Sequence, residues 1–138
     1  MKLVIDSNRV MAGLIKNSST RMIILNEEID FVAPEYLLVE IEKYKEYPMK
    51  KSHQSEREFQ VTISSLIDRI EFIPEDDLVE HMDKAEEIMK EIDLKDSPFI
   101  AVALHSGAEG IWSEDKDFDR QSYVRKFTTK DMFDILLS

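Results

Sequence analysis

The chain of 138 residues contains no cysteine. Disulfides and thiolate metal sites are thereby excluded, so any bound metal must sit on carboxylates, histidines or main-chain oxygens, the donors that suit hard ions. Glycine is scarce, with 3 in the whole chain, and there is no repeat and no low-complexity linker. Nothing marks a point of division, and the length suits one core rather than two, so residues 1–138 read as a single domain. No charge-free apolar run approaches the ~18 residues that a membrane span requires. The opening MKLVIDSNRV also lacks the basic region and apolar stretch of a signal peptide, which gives the expectation of a soluble, cytoplasmic protein. Basic residues are in deficit, 18 Lys and Arg against 29 Asp and Glu, for a net charge of -11. That weighs against broad charge-driven adhesion to nucleic acid, which depends on displacing counterions from phosphates. It does not exclude a nuclease, because an acidic metal pocket can sit beside a local basic strip on a chain that is acidic overall.

Short apolar, β-branched runs suit strands buried in a parallel sheet: Leu3 to Ile5, Ile29 to Ala33 closed by Pro34, Ile70 to Ile73 closed by Pro74, and Ile111 to Ser113 after Gly110. A short fifth reads around Lys126 to Thr128. Apolar residues three and four apart predict helices over Ser18 to Glu28, Glu35 to Glu46, Ser55 to Arg69, Leu78 to Glu91, Ser97 to Ser106 and Thr129 to Leu137, with Tyr47 to Ser55 left as a polar, basic loop. Alternating strands and helices imply an α/β fold, a three-layer α/β/α sandwich around a mostly parallel sheet of four to five strands.

In such sheets the reactive groove lies beyond the carboxyl ends of the strands. Asp6 follows the first strand and Asp115 the fourth, so both carboxylates emerge on one rim if these strands are parallel. The competing reading of Asp6-Ser7-Asn8 is a strand-end turn or helix cap. Glu40 shares helical spacing with Tyr36, Leu37, Ile41 and Tyr44, which turns it toward an apolar stripe. A carboxylate so placed is costly unless paired or bound to a metal, although its stem can also snorkel outward from a flank. Asp96 stands before Ser97-Pro98 and an apolar helix, a position that suits capping and ligation alike. Glu114, Asp115 and Asp117 crowd three acids into four positions after a strand. Like charges so close repel unless a cation neutralises them, and magnesium or manganese is the natural filler for an all-oxygen site. The basic strip Lys43, Lys45, Lys50, Lys51, His53 and Arg57, interleaved with Tyr44 and Tyr47, is a candidate RNA contact, with a solvated surface as the plainer alternative. Single-stranded or looped RNA would suit stacking on the tyrosines.

Taken in order, Asp6-Ser7-Asn8, Leu38-Val39-Glu40-Ile41, Lys95-Asp96-Ser97-Pro98-Phe99-Ile100-Ala101 and Ser113-Glu114-Asp115-Lys116-Asp117-Phe118 resemble the motifs of the PIN-domain ribonucleases over nearly the whole chain. Asn17-Ser18-Ser19-Thr20-Arg21 is similar to the archaeal and bacterial branch that includes many toxins of toxin–antitoxin pairs. The resemblance implies a metal-dependent endoribonuclease carrying one or two Mg2+ or Mn2+ ions. Asp6, Asp96 and Asp115 would be ligands, Glu40 and Asp117 ligands directly or through water, and Asn8 and Ser113 orienting groups. It further implies RNA as substrate and a small antitoxin as partner; a second copy of the chain is another candidate partner, and the lack of a long apolar run gives the expectation of no membrane. Arg9 departs from the aliphatic residue common at its place and would contact phosphate or simply project outward. One rival is a non-cleaving PIN-fold module that holds RNA or a protein. A second, a phosphatase of the haloacid-dehalogenase type, wants a second Asp two residues after Asp6, where this chain has Asn8.

Overall fold

The computed structural model describes residues 1–16 and 18–138. Asn17, which opens the toxin-like stretch, lies outside the described residues. Strands β1 (Lys2–Ile5), β2 (Asp30–Pro34), β3 (Ile70–Ile73), β4 (Ile111–Trp112) and β5 (Lys126–Phe127) form one five-stranded sheet in the order β3-β2-β1-β4-β5. Every pairing is parallel. Leu3, Val4 and Ile5 of the central β1 are all fully buried, as expected of a strand covered on both faces.

The helices are α1 (Ser7–Ile15), α2 (Ser19–Ile24), α3 (Tyr36–Tyr44), α4 (Glu46–Ser52), α5 (Glu56–Ile67), α6 (Val79–Met89), α7 (Ser97–Ser106) and α8 (Thr129–Leu137). Helix α1 packs on α2, α3, α4 and α5, while α6 packs on α7, which lies against β1 and β2. The result is the three-layer α/β/α sandwich expected. Its core is built from the apolar strand residues with Phe31 and Trp112, whose rings sit 5.6 Å apart, and from Phe59, Phe99 and Phe118.

Three local expectations are corrected. The residues after β1 do not merely turn but form α1, with Val10 and Leu14 buried four apart. The segment Tyr47 to Ser55, read as a loop, is largely α4. Pro48 falls in the first turn of that helix, where the N–H that proline lacks has no intrahelical acceptor to lose. The helix expected over Ser18 to Glu28 ends at Ile24, because Asn26 Oδ1 accepts the Glu28 N–H at 2.8 Å and closes a turn in its place.

The order of the sheet decides where a site can form. From β1 the chain moves outward to β2 and β3, then returns to the other side of β1 for β4 and β5. The neighbours β1 and β4 therefore flank the point where strand order reverses, and the crevice beyond their carboxyl ends is the natural binding place of an open α/β sheet. Asp6 and Ser113 are the residues that immediately follow these two strands.

Candidate metal centre

The ends of β1 and β4 are tied together at main-chain level, since the Asp6 N–H donates to the Trp112 carbonyl at 3.1 Å. Ser113, fully buried, donates its hydroxyl to Asp6 Oδ2 at 2.5 Å and accepts the Asp115 N–H at 2.9 Å. Asp6 is itself 4% exposed. Burial raises its carboxyl above the ordinary range, the Ser113 hydrogen bond opposes the rise, and the Asp115 charge adds to it.

Two helix-start aspartates were ambiguous between capping and another role. Asp6 precedes α1 and Asp96 precedes α7, and neither side chain makes a capping hydrogen bond. Their carboxylates are free of that duty. Asp115 differs: its Oδ1 accepts the Asp117 N–H at 2.9 Å at the head of a 3-10 turn over Lys116–Arg120, leaving Oδ2 outside that turn.

Glu40 sits on the flank of α3. Leu37 and Ile41 are buried as the helical spacing implies, but Tyr36 and Tyr44 are 42% and 54% exposed, so the shared stripe is narrower than it reads in the sequence. Glu40 Oε1 is nevertheless buried and has no hydrogen-bond partner. Burial, then the Asp6 charge, raises this carboxyl, against hydrogen bonding from Ser7 and the Lys43 charge.

Asp96 is the most perturbed of the group, pushed up to about 7 by burial and then by the charges of Asp6, Asp93, Asp115 and Glu40 in turn. One carboxylate thus feels four others. Single oxygens of Asp93, Asp96 and Asp117 lie within 4.8 Å of one another. Asp93 is not among the residues expected from the sequence, where it stands at the end of a stretch rich in exposed acids that follows β3. The available signal was the Asp93-x-x-Asp96 spacing beyond the end of α6 at Met89. Asp93 also accepts the Lys95 N–H at 3.0 Å, which fixes the turn that carries Asp96.

An all-carboxylate donor set, partly buried, mutually repelling and containing an orphaned Glu40 oxygen, fits a hard divalent cation, which can neutralise charge that the fold leaves uncompensated. A family model for the PIN domain matches residues 4–132 of the 138. The chain belongs to the PIN-domain family. That family has a nuclease-type fold, and its members are generally hydrolases that use divalent metals and bind RNA. No curated protein matches the chain. Among the described residues, no helix is long and apolar enough to cross a membrane.

The remaining expected residues fall in two places. Asn8 Oδ1 accepts Arg9 Nε at 3.0 Å, and Arg9 also donates to Thr129 Oγ1 at 3.2 Å, the same oxygen that accepts the Trp112 indole N–H at 3.2 Å. Arg9 is thus tied to the start of α8 in this PIN domain. Lys43, Lys50, Lys51, His53 and Arg57 are exposed along α3, α4 and α5, while Lys45 pairs with Glu42 at 2.9 Å.

Proposed function

We propose that this PIN domain is a divalent-metal-dependent endoribonuclease that hydrolyses RNA phosphodiester bonds. The observation that carries the reading is the cluster of Asp93, Asp96 and Asp117, whose oxygens lie within 4.8 Å of one another, with the charges of Asp6, Glu40 and Asp115 also raising the Asp96 carboxyl, beside the point where strand order reverses. Asp6, Asp96 and Asp115 would hold Mg2+ or Mn2+, with Glu40, Asp117 and Asp93 as ligands directly or through water. One or two such ions would activate water and neutralise charge at phosphorus and on the leaving oxygen.

The residues themselves supply order. Ser113 orients Asp6 through Oδ2 while the Ser7 hydroxyl donates to Oδ1 at 3.5 Å, so both carboxylate oxygens are held by hydroxyls, a role that such groups beside metal ligands commonly serve. Asn8, held by Arg9 through its amide oxygen, keeps its NH2 group available as a donor. The exposed cations Lys43, Lys50, Lys51 and Arg57 would hold the phosphate backbone. In cells the protein would act in the cytoplasm, and its size and family suit the toxin of a toxin–antitoxin pair, silenced by a small antitoxin.

The test is incubation of purified protein with structured and unstructured RNA in manganese, magnesium or chelator, beside Asp6→Asn and Asp96→Asn. Cleavage in metal alone, lost in both variants, supports the proposal. Cleavage that survives chelation or either substitution sinks it. Growth arrest on expression, absent for Asp96→Asn, would support the toxin role.

A further inference from the structure

Next to the acidic centre runs a groove of about 340 Å³ between α1, α3 and α4, lined by Met11 and Ile15 on one side and Tyr44 and Tyr47 on the other, and reaching Ser7 and Glu40. Its volume lies at the low end of small-molecule clefts, and its walls are chiefly apolar. The two tyrosines are 54% and 64% exposed although they flank a concave surface, so each offers ring area to a ligand. An ammonium stands near each: Lys43 Nζ is 5.3 Å from the Tyr44 ring centroid and Lys51 Nζ 5.8 Å from that of Tyr47.

We propose that this groove is a subsite for an unpaired nucleobase of a single-stranded RNA, next to the phosphate that would meet the carboxylates. It rests on the reading of the acidic crevice as an RNA-cleaving site. The chemistry required is a flat apolar face joined to a negative charge, which a nucleotide has in every sequence. Aromatic faces with cations alongside are how sequence-tolerant single-strand sites are built. A paired base keeps both faces stacked inside the duplex and cannot enter. Glu40 links the groove to the centre, since it lines the one and its carboxyl feels the Asp6 charge of the other. A base seated here would be adjacent to, not within, the metal-binding carboxylates.

The test is fluorescence anisotropy of a labelled single-stranded oligoribonucleotide with the full chain in chelator, for wild type, Tyr44→Ala, Tyr47→Ala and the two Tyr→Phe variants. Each Ala variant is expected to weaken binding by about 5- to 100-fold, with Phe restoring most of it. A ribose-phosphate strand without bases should bind wild type as weakly as the Ala variants bind RNA, and should not distinguish the variants. Equal binding of single strand, duplex and baseless strand by wild type overturns the proposal. So does unchanged affinity in the Ala variants, or a Tyr-dependent self-association with no oligonucleotide binding. The two readings fail separately. Metal-dependent cleavage unaffected by Tyr→Ala would remove the base subsite and leave the nuclease, whereas Tyr-dependent binding without cleavage in manganese would do the reverse.

Discussion

The hydroxyl of Ser113 donates to Oδ2 of Asp6 at 2.5 Å across 107 positions of sequence, joining the ends of the two strands between which the sheet reverses its order. Both groups are buried, so nothing else replaces the bond when it is lost. Ser113→Ala leaves a buried carboxylate oxygen unsatisfied, a change worth about 1.5–3 kcal/mol for a bond to a charged group. The carboxyl of Asp6, already raised, rises further. Calorimetric titration with Mn2+ should show affinity reduced by about 10- to 100-fold, the range for lost ligand-orienting partners. Unchanged affinity would mean that Asp6 does not bind the ion.

Asp96 invites the opposite effect on stability. Its carboxylate is partly buried, repelled by Asp6, Asp93, Asp115 and Glu40, and compensated by no capping bond. Asp96→Asn keeps the shape and removes the charge, so in chelator the variant should melt higher than wild type, by about 1 kcal/mol or more in stability. Metal-dependent cleavage should fall to background. Lower thermal stability in chelator would show that the charge is already neutralised by the protein.

The strands were legible because short β-branched runs closed by Asp6, Pro34 and Pro74 leave few other readings. Helices α1 and α4 were not, for a shared reason. Each carries in its first turn residues that also make turns, Ser7-Asn8 and Pro48, and their helical state is selected by mutual packing around α1 rather than by local propensity. The acids divide in the same way. Asp6 and Asp96 carry the same local signal whether they cap or not, and only the side-chain direction in the fold separates the two. Asp93 joins Asp96 and Asp117 through the turn beyond α6, and its only sequence signal is the spacing to Asp96.

Stability should fall with rising pH when metal is absent. The folded pKa of Asp96 is about 7 against an ordinary value of 3.8, and those of Asp6 and Glu40 are also raised. Between the unfolded and folded values the native state holds protons that the unfolded chain has released, so the unfolding free energy declines as pH climbs through that window. The contribution is complete below the unfolded value and gone above the folded one. For Asp96 the slope is at most about 1.4 kcal/mol per pH unit, less what solvent screens. Thermal melts in chelator should therefore drop from about pH 5 to about pH 8, and Asp96→Asn should flatten the decline. Added Mn2+ should raise the melting temperature more at the higher pH, because ligation requires the deprotonated form. A chelated protein that gains stability over this range would refute the burial and mutual repulsion of these carboxyls.

Arg9 provides a separate test, of whether a cation beside the crevice binds RNA or holds the protein. Its guanidinium already donates to Asn8 Oδ1 and Thr129 Oγ1, at 3.0 and 3.2 Å. A side chain so committed fixes the orientation of Asn8 and the seat of α8, and contributes little to phosphate neutralisation. Arg9→Ala should cost about 1–3 kcal/mol of stability for the two bonds, and should lower kcat more than it raises KM. The decisive readout is salt. A residue that neutralises one phosphate contributes about 0.7 to the slope of log affinity against log salt for a single strand. Arg9→Ala should leave that slope unchanged, while Lys51→Ala should reduce it. A fall of that size in Arg9→Ala would show instead that the guanidinium leaves Asn8 and takes the phosphate when RNA binds.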